Sequence, residues 1–421
     1  MIAWLLISFF VLLFLGVPIA MSLGLSAMGG ILFLGGGSTV TIAQRMFEGM
    51  NSFALLAIPL YTFAGFTMSK GGISKRLMDF CYSIVGHIYG GLAHVNVLSS
   101  MIFAGISGSA VADTAGVSGM FMPEMIRKGY SKNFTVAVTA ISSTIGIIIP
   151  PSIPMVVIAG ICGISTGKLF LGGIIPGILC GLAQMIVSYF LAKKEGVPKE
   201  PGHFTIGPVL HGLWESWPAL LMPIIIVGTI TMGIVSPTEA GVIAVVYGLF
   251  AGGIIYRELK WEDIKFAFAE TVRTSGRIFI VIGAAKLYTV MLTTAGFDKW
   301  VAKTMLGFST NPTVILIMIL LIFFIVTMFM ESIATLTLFM PILYPIALGV
   351  GINPIVLSVL ITVVIGIGLV TPPVGMCIYV ACDLMDTTVG EVFPTLVPFI
   401  AATFVCIALM VGGFLPQNVP R

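Results

Sequence analysis

Residues 103–123 read FAGISGSAVADTAGVSGMFMP, and this stretch interrupts an apolar run that extends from Val97 to Met125. Glycine permits non-helical backbone, and Ser and Asp side chains compete for backbone hydrogen bonds, so we expect a helix to break here. Unpaired backbone at membrane depth is tolerated only where it is buried in protein or lines a wet cavity. The stretch therefore predicts a re-entrant helical hairpin whose tip is a candidate cation site.

The composition is that of a membrane protein. Of the 421 residues, 58% are hydrophobic and 9% are charged, whereas about a quarter of a soluble domain is charged. The formal net charge of +3 gives no indication of nucleic-acid binding. The Gly167-Lys168 pair lacks the rest of a Walker motif, so we expect no ATPase activity. The six cysteines lie in apolar contexts without metal-ligand spacing and are interpreted as packing residues.

Two short motifs occur twice at nearly constant spacing. Phe-Met-Pro occurs at residues 121–123 and 339–341, an offset of 218, and Pro-Pro occurs at 150–151 and 372–373, an offset of 222. Transporters are often built from two related halves. The spacing predicts a first repeat at residues 1–195, a linker at 196–216 and a second repeat at 217–416.

The predicted fold is an all-α polytopic membrane protein. Each half is expected to have five crossing segments, one of them broken at Pro-Pro, and one re-entrant hairpin. The hairpins are predicted at about 92–125 and 312–348, and the broken helices at about 133–163 and 354–382. An odd number of crossings inverts the second half, so two hairpins would meet from opposite sides of the membrane. With a periplasmic N-terminus, this topology puts fourteen Lys and Arg residues inside and five outside, as the positive-inside rule requires.

The first hairpin motif offers hard oxygen ligands. The hydroxyls of Ser107 and Ser109, with freed carbonyls, suit a cation such as sodium. Close packing of helices through small residues is the alternative. Asp113 stands opposite Glu331 on the offset of 218, and two roles remain open for this pair. Either the carboxylates shape the ion or substrate site, or each caps its half-helix. An intramembrane enzyme using both groups is a third, remote hypothesis.

The broken helices add backbone ligands to the predicted site. Residues 142–152 read SSTIGIIIPPS, and residues 366–375 read GIGLVTPPVG. Proline removes an amide donor and disrupts the preceding turn, and matching breaks in two halves point to a transport site. Simple proline kinks are the alternative. The candidate sodium ligands are Ser107, Gly108, Ser109, Gly146, Pro150, Gly366, Gly368, Thr371 and Pro372.

Three further polar residues are less informative. Lys286 lies within a predicted span, where it either meets an anionic substrate or, as we favour, snorkels or pairs with a carboxylate. His87 and His94 flank Gly90-Gly91 and are interpreted as structural.

The first hairpin motif, Ile-Pro-Pro-Ser at 149–152 and Thr-Pro-Pro-Val-Gly at 371–375 resemble those of the large membrane subunit of tripartite ATP-independent periplasmic (TRAP) transporters. The resemblance spans essentially the whole chain. It implies an elevator-type secondary transporter of the bacterial inner membrane, coupled to Na⁺ at two or more sites. It also implies two partners, a small four-helix membrane subunit on a separate chain and a periplasmic substrate-binding protein.

The resemblance also carries over functional positions. The expected substrate-binding residues are Ser107, Ser109, Asp113, Ser152 and Glu331, although relatives commonly have Asp where Glu331 stands. The expected cargo is a small carboxylate such as a C4-dicarboxylate or sialic acid. A stand-alone sodium-coupled carboxylate or anion symporter of similar design is the alternative within transport.

Overall fold

The computed structural model describes residues 1–34, 39–197 and 205–414, and these ranges are helical without a β-strand. The helices before residue 198 are α1 (Ile2–Phe14), α2 (Ile19–Leu34), α3 (Thr39–Met50), α4 (Ala57–Lys70), α5 (Ile73–Val85), α6 (Gly91–Ser107), α7 (Ala110–Arg127), α8 (Lys132–Ser143), α9 (Ile153–Cys162) and α10 (Thr166–Lys194).

The helices after residue 204 are α11 (Ile206–Thr231), α12 (Pro237–Phe250), α13 (Trp261–Thr294), α14 (Phe297–Phe308), α15 (Pro312–Thr327), α16 (Ser332–Gly349), α17 (Pro354–Gly368), α18 (Met376–Asp383) and α19 (Val389–Phe414). Two 3₁₀ turns, at Phe53–Leu56 and Thr144–Ile147, and a π-helical turn at Ala251–Ile255 adjoin these helices.

Seven helical segments in the described part of the chain are long and apolar enough to cross a membrane. They range from 18 to 34 residues, and about 20 apolar residues span a hydrocarbon core. Their outer surfaces carry exposed side chains such as Ile175, Phe190 and Ile224. Large exposed apolar side chains on long helices face lipid rather than water, so the chain is a multi-span membrane protein.

Four pairs of consecutive helices, which we call the two hairpins and the two broken helices, are each joined by a short segment. Helices α6 and α7 occupy Gly91–Arg127, and α15 and α16 occupy Pro312–Gly349. Helices α8 and α9 are separated by the Pro150-Pro151 segment, and α17 and α18 by Pro372-Pro373. Both Pro-Pro bonds are cis.

The linker predicted at 196–216 overlaps the first turns of a helix. Helix α11 begins at Ile206, so residues 206–216 belong to a helix, and residues 198–204 lie outside the described ranges. Ile206, Leu210 and Leu213 are exposed apolar residues at helical spacing. They give this first part of α11 an apolar face that suits the membrane interface.

Candidate ion and substrate site

The first hairpin breaks at a glycine. Helix α6 ends at Ser107, and Gly108 follows with φ of +65°, a left-handed conformation that favours glycine. A Cβ on Gly108 would lie 2.6 Å from the carbonyl oxygen of Pro151. Ser109 then caps α7, since its Oγ accepts a hydrogen bond from the amide of Ala112 at 3.4 Å. Both the left-handed conformation at the tip and its close contact with the broken helix therefore require glycine at position 108.

Asp113 is the most deeply enclosed carboxylate of this hairpin, with 0% exposure. Its Oδ1 accepts a hydrogen bond from the Ser107 hydroxyl, while its buried Oδ2 has no hydrogen-bond partner among the described residues. Gly146 lies against it: a Cβ there would overlap Oδ2 and lie 2.9 Å from Cγ. The same Cβ would be 3.5 Å from the carbonyl oxygen of Ser109. A carboxylate oxygen, a hydroxyl and a carbonyl thus share one small volume.

The second hairpin tip is built differently. Helix α15 ends at Thr327, and Glu331 caps α16 by accepting hydrogen bonds on Oε2 from the amides of Ile333 at 2.9 Å and Ala334 at 3.3 Å. Its Oε1 accepts a hydrogen bond from the Ser332 hydroxyl at 2.8 Å. The capping role considered for both carboxylates therefore applies to Glu331.

Asp113 does not have that role, because the cap of α7 is Ser109 and Asp113 lies one turn into the helix. The two N-cap positions, Ser109 and Glu331, differ by 222 residues, the offset of the Pro-Pro motifs. The pairing of Asp113 with Glu331 rested on the Phe-Met-Pro offset of 218. Structural position therefore aligns Glu331 with Ser109, so the two carboxylates occupy different places in their hairpins.

Each hairpin tip is joined to a broken helix by a backbone hydrogen bond. The Gly108 carbonyl accepts from the amide of Ile153 at 3.1 Å, and the Met328 carbonyl accepts from the amide of Val374 at 2.9 Å. Ser152, just before Ile153, is fully buried; its hydroxyl donates to the Ile147 carbonyl at 2.5 Å and accepts from the amide of Met155. Ser152 thus caps α9 beside the tip.

The predicted sodium ligands fall into separate groups. Ser107, Gly108, Ser109 and Gly146 come together around Asp113. Pro150 lies near the same hairpin, since a Cβ on Gly105 would be 3.7 Å from its carbonyl oxygen.

The remaining four lie in the second half's broken helix. Gly366 faces Thr144, and Gly368 packs against Thr327, where a Cβ would lie 2.7 Å from the threonine Cβ. The Thr371 hydroxyl donates to the Ile367 carbonyl at 2.7 Å, and Pro372 follows it directly. In the described part of the chain, these four residues make no contact that joins them to Asp113.

Sequence reasoning missed a third element of the site, Cys377 on α18. Its buried thiol lies within hydrogen-bonding reach of the Thr114 and Ser143 hydroxyls, which are 2.6 Å apart. Helix α18 packs on α7 and α8, so the second half's broken helix reaches the first hairpin. The glycine-proline pattern located the break but gave no signal for the cysteine.

A network of side-chain hydrogen bonds joins α6 to α8 below the hairpin tip. The Asn96 amide donates to Thr139 Oγ1 at 2.7 Å, and Ser142 Oγ donates to Asn96 Oδ1 at 3.0 Å. Ser100 Oγ donates to Ser142 Oγ at 3.0 Å. All four side chains are buried, and buried polar groups of this kind fix one packing arrangement when they are satisfied.

Lys286 and His94 lie outside this cluster. Lys286 is exposed on α13, with its stem against Gly49, and has no ion-pair partner among the described residues. His94 is buried, and its Nε2 is 3.1 Å from the Tyr89 carbonyl oxygen. Neither contacts the hairpin tips.

The oxygen-rich surroundings of Asp113 fit sodium. Hard cations prefer carboxylate, hydroxyl and carbonyl oxygens, and no side chain or amide in the described part of the chain hydrogen-bonds the buried Oδ2 of Asp113. Ser107, Ser109 and the backbone near Gly146 are the groups that would hold the ion with Asp113.

Comparison with known families gives a match over nearly the whole chain. The profile of the DctM component of tripartite ATP-independent periplasmic transporters matches residues 6–415. The isethionate TRAP transporter permease protein DctMQ of Oleidesulfovibrio alaskensis is 36% identical over 97% of this chain, which spans 64% of that protein's length.

Two relatives are of similar length to this chain. The sialic acid TRAP transporter large permease protein SiaM of Vibrio cholerae is 35% identical, covering 95% of this chain and 93% of SiaM. The C4-dicarboxylate TRAP transporter large permease protein DctM of Pseudomonas aeruginosa is 35% identical, covering 92% of this chain and 91% of that protein.

Solved structures share the fold at low identity. The YdaH transporter of Alcanivorax borkumensis superposes with a TM-score of 0.61 at 14% identity, covering 89% of this chain and 87% of that one. MtrF of Neisseria gonorrhoeae superposes with a TM-score of 0.59 at 15% identity, covering 90% of this chain and 85% of MtrF.

Proposed function

This chain belongs to the DctM component family of TRAP transporters, and we propose that it forms the large permease subunit of a sodium-coupled importer of an organic acid. The family consists of transporter permeases, which excludes the intramembrane enzyme considered for Asp113 and Glu331. The cargo is a small carboxylate or related acid, by analogy with the sialic acid, C4-dicarboxylate and isethionate named for the relatives.

Sodium coupling is supported above all by the orphaned Oδ2 of Asp113. A fully buried carboxylate oxygen without a partner costs free energy unless a cation or a proton satisfies it. Ser107 orients the carboxylate through Oδ1, which leaves Oδ2 free to bind the ion. Because α18 of the second half packs on α7, which carries Asp113, ion binding at this tip would bias the position of both halves together.

The order of helices supports two inverted repeats. Helices α1 and α2 correspond to α11 and α12, α3 with α4 to α13, and α5 to α14. The hairpins, the broken helices, and finally α10 and α19 follow in the same order in both halves. We propose that these repeats form the inner-membrane permease, with a periplasmic N-terminus.

An elevator mechanism is supported by how the helices pack. Helix α13 packs on α2, α3 and α4, and α4 packs on α12. The hairpins, the broken helices, α10 and α19 pack mainly on one another. In this proposal the second group carries the substrate past the first, and the short helices α5 and α14 join them. A group of helices that pack mainly on one another can move as a rigid body.

The proposed complex contains two other proteins. The DctMQ protein is longer than this chain, which fits a fused small subunit in that protein, and we propose that a small membrane subunit also accompanies this chain. A periplasmic binding protein would deliver the cargo. A stand-alone symporter of similar fold differs in one respect, because it would need no binding protein.

Reconstituted uptake tests the proposal. The chain and its small subunit are placed in proteoliposomes with the cognate binding protein, and uptake of labelled sialic acid, succinate and isethionate is measured under sodium and potassium gradients. We expect one of these acids to accumulate with sodium and the binding protein only. Asp113→Asn should abolish uptake, whereas Glu262→Gln, which neutralises an exposed carboxylate on α13, should not. Uptake without the binding protein would favour the stand-alone symporter, and uptake without sodium would refute the coupling.

A further inference from the structure

Arg76, in the first turn of α5, joins that helix to the segment between α12 and α13. Its Nη1 donates to the Gly72 carbonyl at 2.8 Å, and its Nη2 donates to Glu258 Oε1 at 2.7 Å. Its guanidinium lies over the Tyr256 ring, 4.2 Å from the centroid. A Cβ on Gly72 would overlap the Glu258 carboxylate, so this approach requires glycine. A partly exposed ion pair contributes little by itself, but here a cation–π contact and close backbone packing are added to it.

The segment between α12 and α13 is held in an unusual shape. Arg257 has φ of +56°, a left-handed conformation that is uncommon for residues other than glycine. The amides of Glu258 and Leu259 both donate to the Gly252 carbonyl at 3.1 Å. Gly252 also packs against the turn between α4 and α5, since a Cβ on Gly71 would lie 2.9 Å from the Gly252 Cα. The two turns are therefore attached to each other through main-chain packing as well as through a side chain.

Helix α5 continues along α11. The Ser216 hydroxyl of α11 donates to the Arg76 carbonyl at 2.9 Å, and a Cβ on Gly212 would lie 3.5 Å from the Phe80 Cβ. We call α1–α4 and α11–α13 the static group, and the hairpins, the broken helices, α10 and α19 the mobile group. Helix α5 packs on α11 of the static group and also on α6 of the mobile group. Packing by itself therefore leaves open which group α5 moves with.

The segment after α5 is attached to the mobile group. A Cβ on Gly90 would lie 2.6 Å from the Ala192 Cβ of α10, and the rings of Tyr89 and Tyr189 have their centroids 6.2 Å apart. Helix α5 ends at Val85. The chain therefore passes from α5 to residues held by α10 within a short turn at residues 86–88.

We propose that α5 moves with the static group and that residues 86–88 are the hinge between the two groups in the first half of the chain. This inference rests on the proposed elevator. If α5 swung about its first turn, the contacts of Arg76 with Glu258 and Tyr256 and the bond from Ser216 would break in every cycle. A hinge at residues 86–88 breaks none of them. Short segments at the ends of helices are where hinge motions change backbone angles.

A cysteine pair tests the proposal in the uptake assay described above. Phe80→Cys with Gly212→Cys would have Cβ atoms 3.5 Å apart, within the range of a disulfide. Oxidation by copper phenanthroline would then fix α5 to α11. We expect the cross-linked protein to keep the uptake rate of its reduced form. Uptake that falls in proportion to the cross-linked fraction, and returns on reduction, would overturn the proposal.

Two further pairs separate the hinge from the elevator itself. Ala54→Cys with Gly160→Cys has Cβ atoms 4.0 Å apart and joins the 3₁₀ turn before α4 to α9 of the mobile group. Gly24→Cys with Ala284→Cys has the same separation but lies within the static group. Cross-linking should abolish uptake in the first of these pairs and leave it unchanged in the second. Uptake that persists with residues 54 and 160 cross-linked would refute the elevator, and the hinge with it, without affecting the assignment of sodium coupling.

A second measurement needs neither the cargo nor a change at the buried Phe80. Hydrogen–deuterium exchange is compared in the Ala54→Cys, Gly160→Cys chain before and after oxidation. The cross-link stops the hinge motion, so amide exchange at residues 86–88 should slow while exchange at residues 71–76 stays the same. Equal slowing in both segments, or no slowing at residues 86–88, would overturn the proposal. Cys81→Ala and Cys162→Ala remove the neighbouring native thiols from every pair.

Discussion

Replacing Gly146 with alanine should weaken sodium binding to this protein. The added Cβ would overlap Oδ2 of Asp113 and lie 2.9 Å from its Cγ, so the carboxylate must move. Overpacking of this kind costs about 1–3 kcal/mol. If this cost falls on the ion-bound form, sodium affinity decreases about 5- to 150-fold, since 1.4 kcal/mol is a factor of ten.

Thermal unfolding of the purified protein measures this effect without knowledge of the cargo. A ligand at about one hundred times its Kd stabilises a protein by about 2.7 kcal/mol. At that sodium concentration, weakening by 5- to 150-fold leaves between about 1.8 and 0.3 kcal/mol of stabilisation. The assay compares unfolding in NaCl and in KCl at equal ionic strength, so general salt effects cancel.

Gly116→Ala is the matched control. Gly116 belongs to α7 in the same hairpin, but a Cβ there would lie 3.8 Å from Phe103, an ordinary contact. This variant should retain the full sodium-specific shift. The reasoning is refuted if Gly146→Ala keeps the wild-type difference between NaCl and KCl, or if Gly116→Ala loses it to the same extent.

Three other substitutions give distinct results. Ser107→Ala removes the donor to Asp113 and should reduce the sodium-specific thermal shift, whereas Ser107→Thr should restore most of it. Glu331→Ala removes the α16 cap and should lower the free energy of unfolding by about 1 kcal/mol, with Glu331→Asp close to the wild type in the same melting assay. Arg76→Ala removes a partly exposed ion pair with Glu258 and should cost about 0.5 kcal/mol, a difference that should shrink in high salt.

The broad architecture could be predicted from the sequence because membranes restrict backbone so strongly. The glycine-serine stretch at 105–109 contains Gly108, where α6 ends, and the two Pro-Pro pairs lie between the helices that they separate. The start of α11 was less predictable. Its first turns combine apolar residues with His211 and Glu215, a composition that a linker and an interfacial helix share.

The side-chain geometry of the site was predictable only in part. The grouping of Ser107 with Asp113 follows from helical spacing across one short break. The contact of Cys377 with Thr114 and Ser143 depends on how two halves pack, and no local pattern encodes it. The alignment of the two hairpins could not be read from the sequence either, because the two repeated motifs have offsets of 218 and 222 residues, which differ by four. Only the N-caps, Ser109 and Glu331, reveal the structural alignment.

The bonds from Gly108 to Ile153 and from Met328 to Val374 involve main-chain atoms alone. Such bonds survive most substitutions, because every residue except proline provides the same donor and every residue the same acceptor. If the two halves are the repeats proposed above, each could therefore change its side chains without losing the attachment of its hairpin. One copy could specialise in holding an ion and the other in framing the cargo. Exchanging side chains between the two tips should therefore change selectivity more than it weakens the attachment of the hairpins to the broken helices.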